Sequence, residues 1–267
     1  MTFLNSIILG IIQGLTEFLP VSSSGHLVIA EHLLPGWQPA GGIVFEITLH
    51  LATLLAVIIF FRRDLALLIA SLWRRGPEES QRRYFILMLI LATIPTGIIG
   101  LLGKKFFVSL FERLDIVGAM LLLTALLLWR AESRAVDENP QKDITPGRAL
   151  VIGIAQGIAI IPGISRSGAT IATAMLGGID AEQAARFSFL LSIPAISGAA
   201  LLSLKDFQAL PPGQLPPALA GAAAALVTGL LALKLLLMIL KQRRLRLFAV
   251  YCAIVGALTL LGTLFCS

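Results

Sequence analysis

Six stretches of the chain stay apolar long enough to cross a bilayer. They run over about 43–61, 84–103, 114–129, 185–204, 217–240 and 247–265, close to the ~20 residues that a spanning helix needs. Two further apolar regions, 3–34 and 149–176, are broken. Pro20 and Ser22-Ser23-Ser24-Gly25-His26 interrupt the first; Pro162-Gly163 and Ser165-Arg166-Ser167-Gly168 interrupt the second. Each half is too short to span comfortably. Irregular backbone at membrane depth is tolerated only inside protein or along a wet cavity. The pattern therefore predicts an all-α polytopic membrane protein with six transmembrane helices plus two re-entrant helix hairpins.

The two broken regions are copies of each other. At a constant offset of 143, Gly10, Ile11, Gln13, Gly14, Ser22, Ser24 and Gly25 recur as Gly153, Ile154, Gln156, Gly157, Ser165, Ser167 and Gly168, without a gap. Three spanning segments follow each copy, and an odd number of crossings inverts the second half. This is the pattern of an inverted-topology repeat, with broken helices meeting near the midplane. The expected organisation is one integral membrane domain over 1–267. Its repeats cover about 1–129 and 148–265, joined by a cytoplasmic loop at 130–147.

Charge placement orients this arrangement. The loops 62–83, 130–148 and 241–246 carry fourteen Lys and Arg, whereas 104–113 and 205–216 carry four. The positive-inside rule assigns the first set to the cytoplasm. Both termini then lie outside, the first hairpin enters from outside and the second from the cytoplasm. Residues 3–19 lack a basic leader and a cleavage signal, and read as mature chain.

Composition narrows the function. Of 267 residues 57% are hydrophobic and 13% charged, against about 25% charged in soluble domains. This excludes an ordinary cytosolic enzyme, a disordered chain and a disulfide scaffold. The net charge of +6 is accounted for by the loops, so no nucleic-acid partner is expected. Cys252 and Cys266 lie in one apolar segment, about 21 Å apart on a helix, too far to pair. The glycines Gly221 and Gly229 form a face that could serve a homodimer or internal packing.

Against so few charges, those at membrane depth stand out. Glu17, His26 and Arg166 sit in or beside the repeated breaks, where the copies differ: Glu17 faces Ile160, Ser23 faces Arg166 and His26 faces Ala169. One asymmetric site at a pseudo-symmetric junction follows. Gln13 and Glu17, four apart, share a helix face and could present an amide and a carboxylate to a cation or a phosphate-bound water. Ser22 and Ser24 precede a new helix as caps and as further donors to an anion. Ser23 and His26, three apart, could place a hydroxyl beside an imidazole. Arg166 suits bidentate phosphate binding, with Ser165, Ser167 and Thr170 as donors around it. Glu31 and His32 read as interfacial. Glu46 and His50 either line the cavity mouth or sit at headgroup level, and Lys234 snorkels. No Walker-type phosphate loop occurs. The set fits a lipid phosphate, since phosphoryl transfer needs positioning and charge neutralisation above all.

The stretches Gln13-Gly14-Leu15-Thr16-Glu17-Phe18-Leu19-Pro20-Val21-Ser22-Ser23-Ser24-Gly25-His26 and Pro162-Gly163-Ile164-Ser165-Arg166-Ser167-Gly168-Ala169-Thr170 closely resemble the two signatures of the bacitracin-resistance family of undecaprenyl-diphosphate phosphatases. The resemblance covers essentially the whole chain by length, segment order and loop placement. It implies a multi-pass enzyme of the bacterial inner membrane, with its site open to the periplasm. The reaction would turn undecaprenyl diphosphate into undecaprenyl phosphate and inorganic phosphate, recycling the carrier lipid of peptidoglycan synthesis. It implies a divalent cation, Mg²⁺ or Ca²⁺. By matching position, Glu17 would bind the metal or activate the nucleophile, Ser23 or His26 would attack or transfer a proton, and Arg166 would grip the diphosphate. Ser165, Ser167 and Thr170 would donate hydrogen bonds to it. Gln13 stands at a position where the family has Glu or Gln, one carboxylate fewer than a two-glutamate site. The alternative is a prenyl-phosphate transporter or flippase, which needs the phosphate grip but no nucleophile. The type-2 phosphatidic acid phosphatases also carry Ser-Gly-His. Here Ser24-Gly25-His26 lacks their preceding proline, and Ala172 stands where their second motif has His.

Overall fold

The computed structural model describes residues 2–33, 42–134, 143–203, 213–242 and 244–265. Cys266, Lys142, Lys205, Arg243 and the side chain of Glu31 lie outside the described residues. Within them the chain folds into helices alone. In order these are α1 (Phe3–Phe18), α2 (Ser23–Leu33), α3 (Gly42–Phe60), α4 (Arg62–Ala70), α5 (Pro77–Leu110), α6 (Leu114–Arg134), α7 (Pro146–Ile158), α8 (Arg166–Leu176), α9 (Ala181–Ser203), α10 (Leu215–Lys241) and α11 (Arg246–Phe265).

Five of these, α5, α6, α9, α10 and α11, are long and apolar enough to cross a membrane, and α3 with α4, bent by 70°, brings the number to six if the bent pair is one span. The molecule is a multi-pass membrane protein by this measure. Its outer surface agrees: Leu87, Ile90, Ile94, Ile98 and Leu101 of α5 are all exposed, an apolar stripe along one helix that suits contact with lipid.

Several spans are longer than their apolar stretches suggest, because polar turns extend them. The stretch at 84–103 sits inside a helix of 34 residues that starts at Pro77 and carries Glu78 and Glu79 in its first turn. Proline suits a first helical position, and acidic groups complement the helix dipole there. Segment 62–83, expected as a loop, contains α4. Phe61 breaks the helical path, Asp64 stands in the first turn of α4 and Leu68 is buried beneath it. The pair Arg62-Arg63 ends the apolar run without ending helix formation.

The hairpins fold as matched pairs. Thr2 caps α1 by accepting from the Asn5 N–H at 3.2 Å, and Thr145 caps α7 by accepting from Arg148 N–H at 3.5 Å. Residues 2 and 145 are again 143 apart. The buried face of α1 includes Ser6, Leu9, Gly10, Gln13 and Gly14; that of α7 is Ala149, Ile152, Gly153, Gln156 and Gly157, position for position. Each face lies on a long helix of the other half, α1 on α10 and α7 on α5. Close backbone approach requires the glycines. A Cβ at Gly10 would lie 2.1 Å from the Gly221 carbonyl oxygen, and one at Gly153 would lie 2.0 Å from that of Ala92. Small residues four apart allow such contact in membrane helices. Gly221 and Gly229, the latter against Phe18, are thus used in packing within the chain.

The hairpin tips meet at the centre. A Cβ at Gly25 would lie 3.1 Å from Gly163 Cα, and one at Gly168 would lie 3.2 Å from Pro20 Cβ. The α6 hydroxyl of Thr124 donates to the Gly163 carbonyl at 2.9 Å and accepts from Ser165 N–H at 3.1 Å. On the other tip, the buried Cys252 Sγ of α11 lies 3.7 Å from the Pro20 carbonyl oxygen. These contacts keep broken backbone paired inside protein, as an apolar medium demands. Around them α8 is buried on nearly every side, and Phe18 meets Phe189 of α9 edge to face at 5.9 Å.

Candidate active site

Glu17 is the hub of the site. It lies in the last turn of α1, where the helix ends before Pro20, and is only 7% exposed. Three donors surround its carboxylate. Ser23 Oγ donates to Oε2 at 2.6 Å, Gln13 Nε2 donates to Oε2 at 2.9 Å, and Arg166 Nη2 donates to Oε1 at 2.7 Å. A buried carboxylate without such partners would be very costly.

Local folding explains the convergence. At the first tip, Ser22 adopts a left-handed backbone (φ 71°), which turns the chain sharply into α2. The second tip makes its turn at Gly163 (φ 95°), where no Cβ resists it. Ser22 Oγ accepts from Gly25 N–H at 3.2 Å, and Ser165 Oγ accepts from Gly168 N–H at 3.1 Å. The pairs Ser22–Ser24 and Ser165–Ser167 lie hydroxyl to hydroxyl at 3.4 and 3.2 Å. These equivalent residues build one skeleton twice. The first residue of each following helix, Ser23 in one copy and Arg166 in the other, then points at the same carboxylate.

The other candidates divide into two groups. Ser22, Ser165, Ser167 and Thr170 are fully buried. Their hydroxyls serve the fold, with Thr170 Oγ1 engaged by the Arg166 carbonyl and Ser188 Oγ. Ser23, Ser24 and His26 are half-buried. Ser23 and His26 do not pair in this state: Ser23 turns to Glu17, whereas His26 Nδ1 lies 2.7 Å from the Ser22 carbonyl and Nε2 lies 2.7 Å from Tyr251 Oη.

Two neighbours adjoin the cluster, His50 and Tyr251. His50 of α3 accepts at Nδ1 from Gln13 Nε2 at 3.0 Å and lies 3.7 Å from Glu17 Oε2. Its contacts with Gln13 and Glu17 tie it to the cluster. Tyr251 of α11 carried no sequence signal, since only tertiary packing brings it to His26. Lys234 is exposed on α10, and His32 Nδ1 bonds the Val28 carbonyl at 2.9 Å; neither joins the site.

Two buried polar atoms in this cluster have no partner, Gln13 Oε1 and Arg166 Nη1. One is an oxygen acceptor beside a carboxylate and the other a cationic donor. Gln156 Oε1, the copy of Gln13 Oε1 in the second hairpin, is unpartnered too, so it is their place around Glu17 that singles out Gln13 and Arg166. Among the described residues, no group of three or more His, Cys, Asp or Glu could hold a metal ion by itself.

Comparison with known proteins identifies the family. The family model described as bacitracin resistance protein BacA matches residues 6–258. An undecaprenyl-diphosphatase of Syntrophotalea carbinolica is 46% identical over 259 residues, covering 97% of this chain and 98% of the relative. One from Desulfosudis oleivorans is 46% identical over 269 residues, covering 96% and 97%. One from Korarchaeum cryptofilum is 43% identical over 269 residues, covering 96% and 97%. With a match of this extent and two signature loops meeting at one carboxylate, the chain belongs to the BacA bacitracin-resistance family.

Proposed function

We propose that this chain hydrolyses undecaprenyl diphosphate to undecaprenyl phosphate and inorganic phosphate at the Glu17–Ser23–Arg166 cluster. The observation that carries the reading is the 2.6 Å hydrogen bond from Ser23 Oγ to Glu17, with Arg166 on the opposite carboxylate oxygen. A hydroxyl nucleophile needs an adjacent base, and a diphosphate needs a cation at its oxygens. Both are present, and Arg166 Nη1 is a free donor for the incoming anion. The names and extent of the relatives support the same substrate.

Ser23 Oγ attacks the terminal phosphorus while Glu17 accepts its proton. The bond from that phosphorus to the bridging oxygen breaks, and undecaprenyl phosphate leaves. Water then attacks the phosphoserine, releasing inorganic phosphate and restoring the hydroxyl. His26, one turn along α2 from Ser23, transfers the proton in this second step. Arg166 moves its charge from Glu17 to the phosphoryl oxygens, which leaves the carboxylate more basic when a base is needed. Ser24 adds a donor at the start of α2. Returning the carrier lipid to its monophosphate is the activity behind the bacitracin resistance for which the family is described.

A divalent cation, Mg²⁺ or Ca²⁺, is part of this proposal. Such ions take oxygen ligands, and Mg²⁺ often uses one or two protein groups plus substrate phosphates. The Glu17 carboxylate and the unpartnered Gln13 Oε1 fit that role. The cation would neutralise the diphosphate.

The same proposal puts the chain in the plasma membrane with six spans and an inverted repeat. Supporting this are the exchanged packings, α1 on α10 and α7 on α5, and the reciprocal contact of Gly118 and Gly256 where α6 crosses α11. The repeats are about 1–129 and 148–265 within a single domain, with the site facing the outer side. Single cysteines placed at Gly76 and Gln208 label from opposite sides of sealed vesicles; labelling from one side contradicts the inversion.

The deciding experiment is phosphate release from undecaprenyl diphosphate by purified protein in Mg²⁺ or Ca²⁺. The hydrolase reading predicts release that EDTA abolishes. Tight lipid binding without release indicates a carrier or flippase instead.

A further inference from the structure

His26 is held from two sides. Its Nδ1 lies 2.7 Å from the Ser22 carbonyl oxygen. A carbonyl only accepts, so in the neutral imidazole Nδ1 carries the proton and Nε2 holds the lone pair. Tyr251 Oη, 2.7 Å from Nε2, is therefore the donor in that contact. The two rings are nearly parallel, at 8°, with centroids 5.6 Å apart.

Tyr251 comes from a helix that otherwise shows a lipid-facing surface there. Leu247, Val250, Ile254 and Leu258 of α11 are all exposed. A tyrosine hydroxyl in apolar surroundings needs a partner, and this one finds the imidazole of the first hairpin. The neighbouring Cys252 lies against the Pro20 carbonyl, so α11 sits in register on the same tip. The second hairpin has no such element, because Ala169 stands where the first has His26.

We infer that Tyr251 is a positioning residue for His26. It holds the ring with Nδ1 protonated and the Nε2 lone pair engaged by its own hydroxyl, so that hydroxyl turns away when His26 takes a proton from water in phosphoenzyme hydrolysis. Which nitrogen of a histidine does chemistry is set by the bond made at the other and by the ring's orientation. The inference rests on the hydrolase reading above.

The test is Tyr251→Phe, which removes the hydroxyl and keeps the ring. The first readout needs no turnover. Diethyl pyrocarbonate acylates imidazole at its lone-pair nitrogen, and peptide mass spectrometry follows His26 with His32 and His50 as internal references. Acylation of His26 should rise several-fold in the variant while the other two stay unchanged. The second readout is kinetic. kcat should fall about tenfold or more with KM unchanged, as is usual when a group orienting an imidazole is lost. In a His26→Gln background, Tyr251→Phe should cost nothing further, since residues acting through one contact are not additive. Unchanged acylation of His26, a wild-type kcat, or an equal fold-loss in both backgrounds would overturn the proposal. A wild-type protein with no phosphate release would overturn the hydrolase reading, and the catalytic part of this one with it; the acylation result then still reports the contact.

Discussion

The two hairpin tips share a skeleton and differ in chemistry. Both place a capping serine three residues before the N–H that donates to it, Gly25 to Ser22 and Gly168 to Ser165, and both keep a second serine beside the first. At the positions between these fixed points the copies part. Glu17 stands opposite Ile160, Ser23 opposite Arg166 and His26 opposite Ala169. The carboxylate, the hydroxyl and the imidazole thus belong to the first tip, and the guanidinium to the second. Two identical tips would have offered two bases facing each other, or two cations. Divergence on a duplicated frame instead brings opposite charges to one point, with Arg166 Nη2 2.7 Å from Glu17 Oε1. The frame positions the groups, and in the proposed reaction its asymmetry supplies the base, the nucleophile and the phosphate-binding cation.

The comparison can be broken most sharply at the diverged positions. Glu17→Gln keeps the shape and removes the base, and its phosphate release should fall on the order of 10²–10⁴-fold, the usual contribution of a positioned base. Arg166→Ala should lose about 10²–10³-fold, comparable to removing one charged group from a developing oxyanion. Wild-type rates in either variant would remove these residues from the site.

A smaller effect separates the two glutamines. Gln13 bridges Glu17 and His50, whereas Gln156 Nε2 bonds Thr96 Oγ1 at 3.2 Å, away from any charge. Gln13→Ala should slow phosphate release and weaken its dependence on added cation. Gln156→Ala should leave both unchanged. Equal losses in the two variants would mean that the repeats contribute alike.

The smallest effect concerns what the tips share. Ser22→Ala and Ser165→Ala each remove a cap and should each lower stability by about 1 kcal/mol, read as similar shifts in thermal unfolding. A large loss from one and none from the other would contradict the common skeleton.

Much of this was legible in the sequence, for identifiable reasons. The breaks at Pro20 and Pro162-Gly163 were visible because proline and glycine interrupt runs that are otherwise apolar. The polar matches at a constant offset located both tips. The helix ends were harder to place. Glu78, Glu79 and Arg82 look like loop residues by charge, yet they pair with one another along a helix, Arg82 with Glu78 at 2.8 Å. The serine hydroxyls were only partly readable. Their spacing suggested both caps and anion donors, and packing turns Ser22 and Ser165 to the backbone and Thr170 to Ser188. His50 carried two placements because its own helix could not decide between them. Tyr251 was illegible, since 225 residues separate it from the histidine it bonds.

The claim at the centre is that Ser23 attacks the diphosphate while Glu17 takes its proton. The most direct measurement is phosphate release from undecaprenyl diphosphate by Ser23→Ala beside wild-type protein, with lipid binding followed in parallel. The account predicts retained binding and a rate lower by at least about 10³-fold, as when a nucleophile is removed. Turnover at the wild-type rate by Ser23→Ala would contradict it.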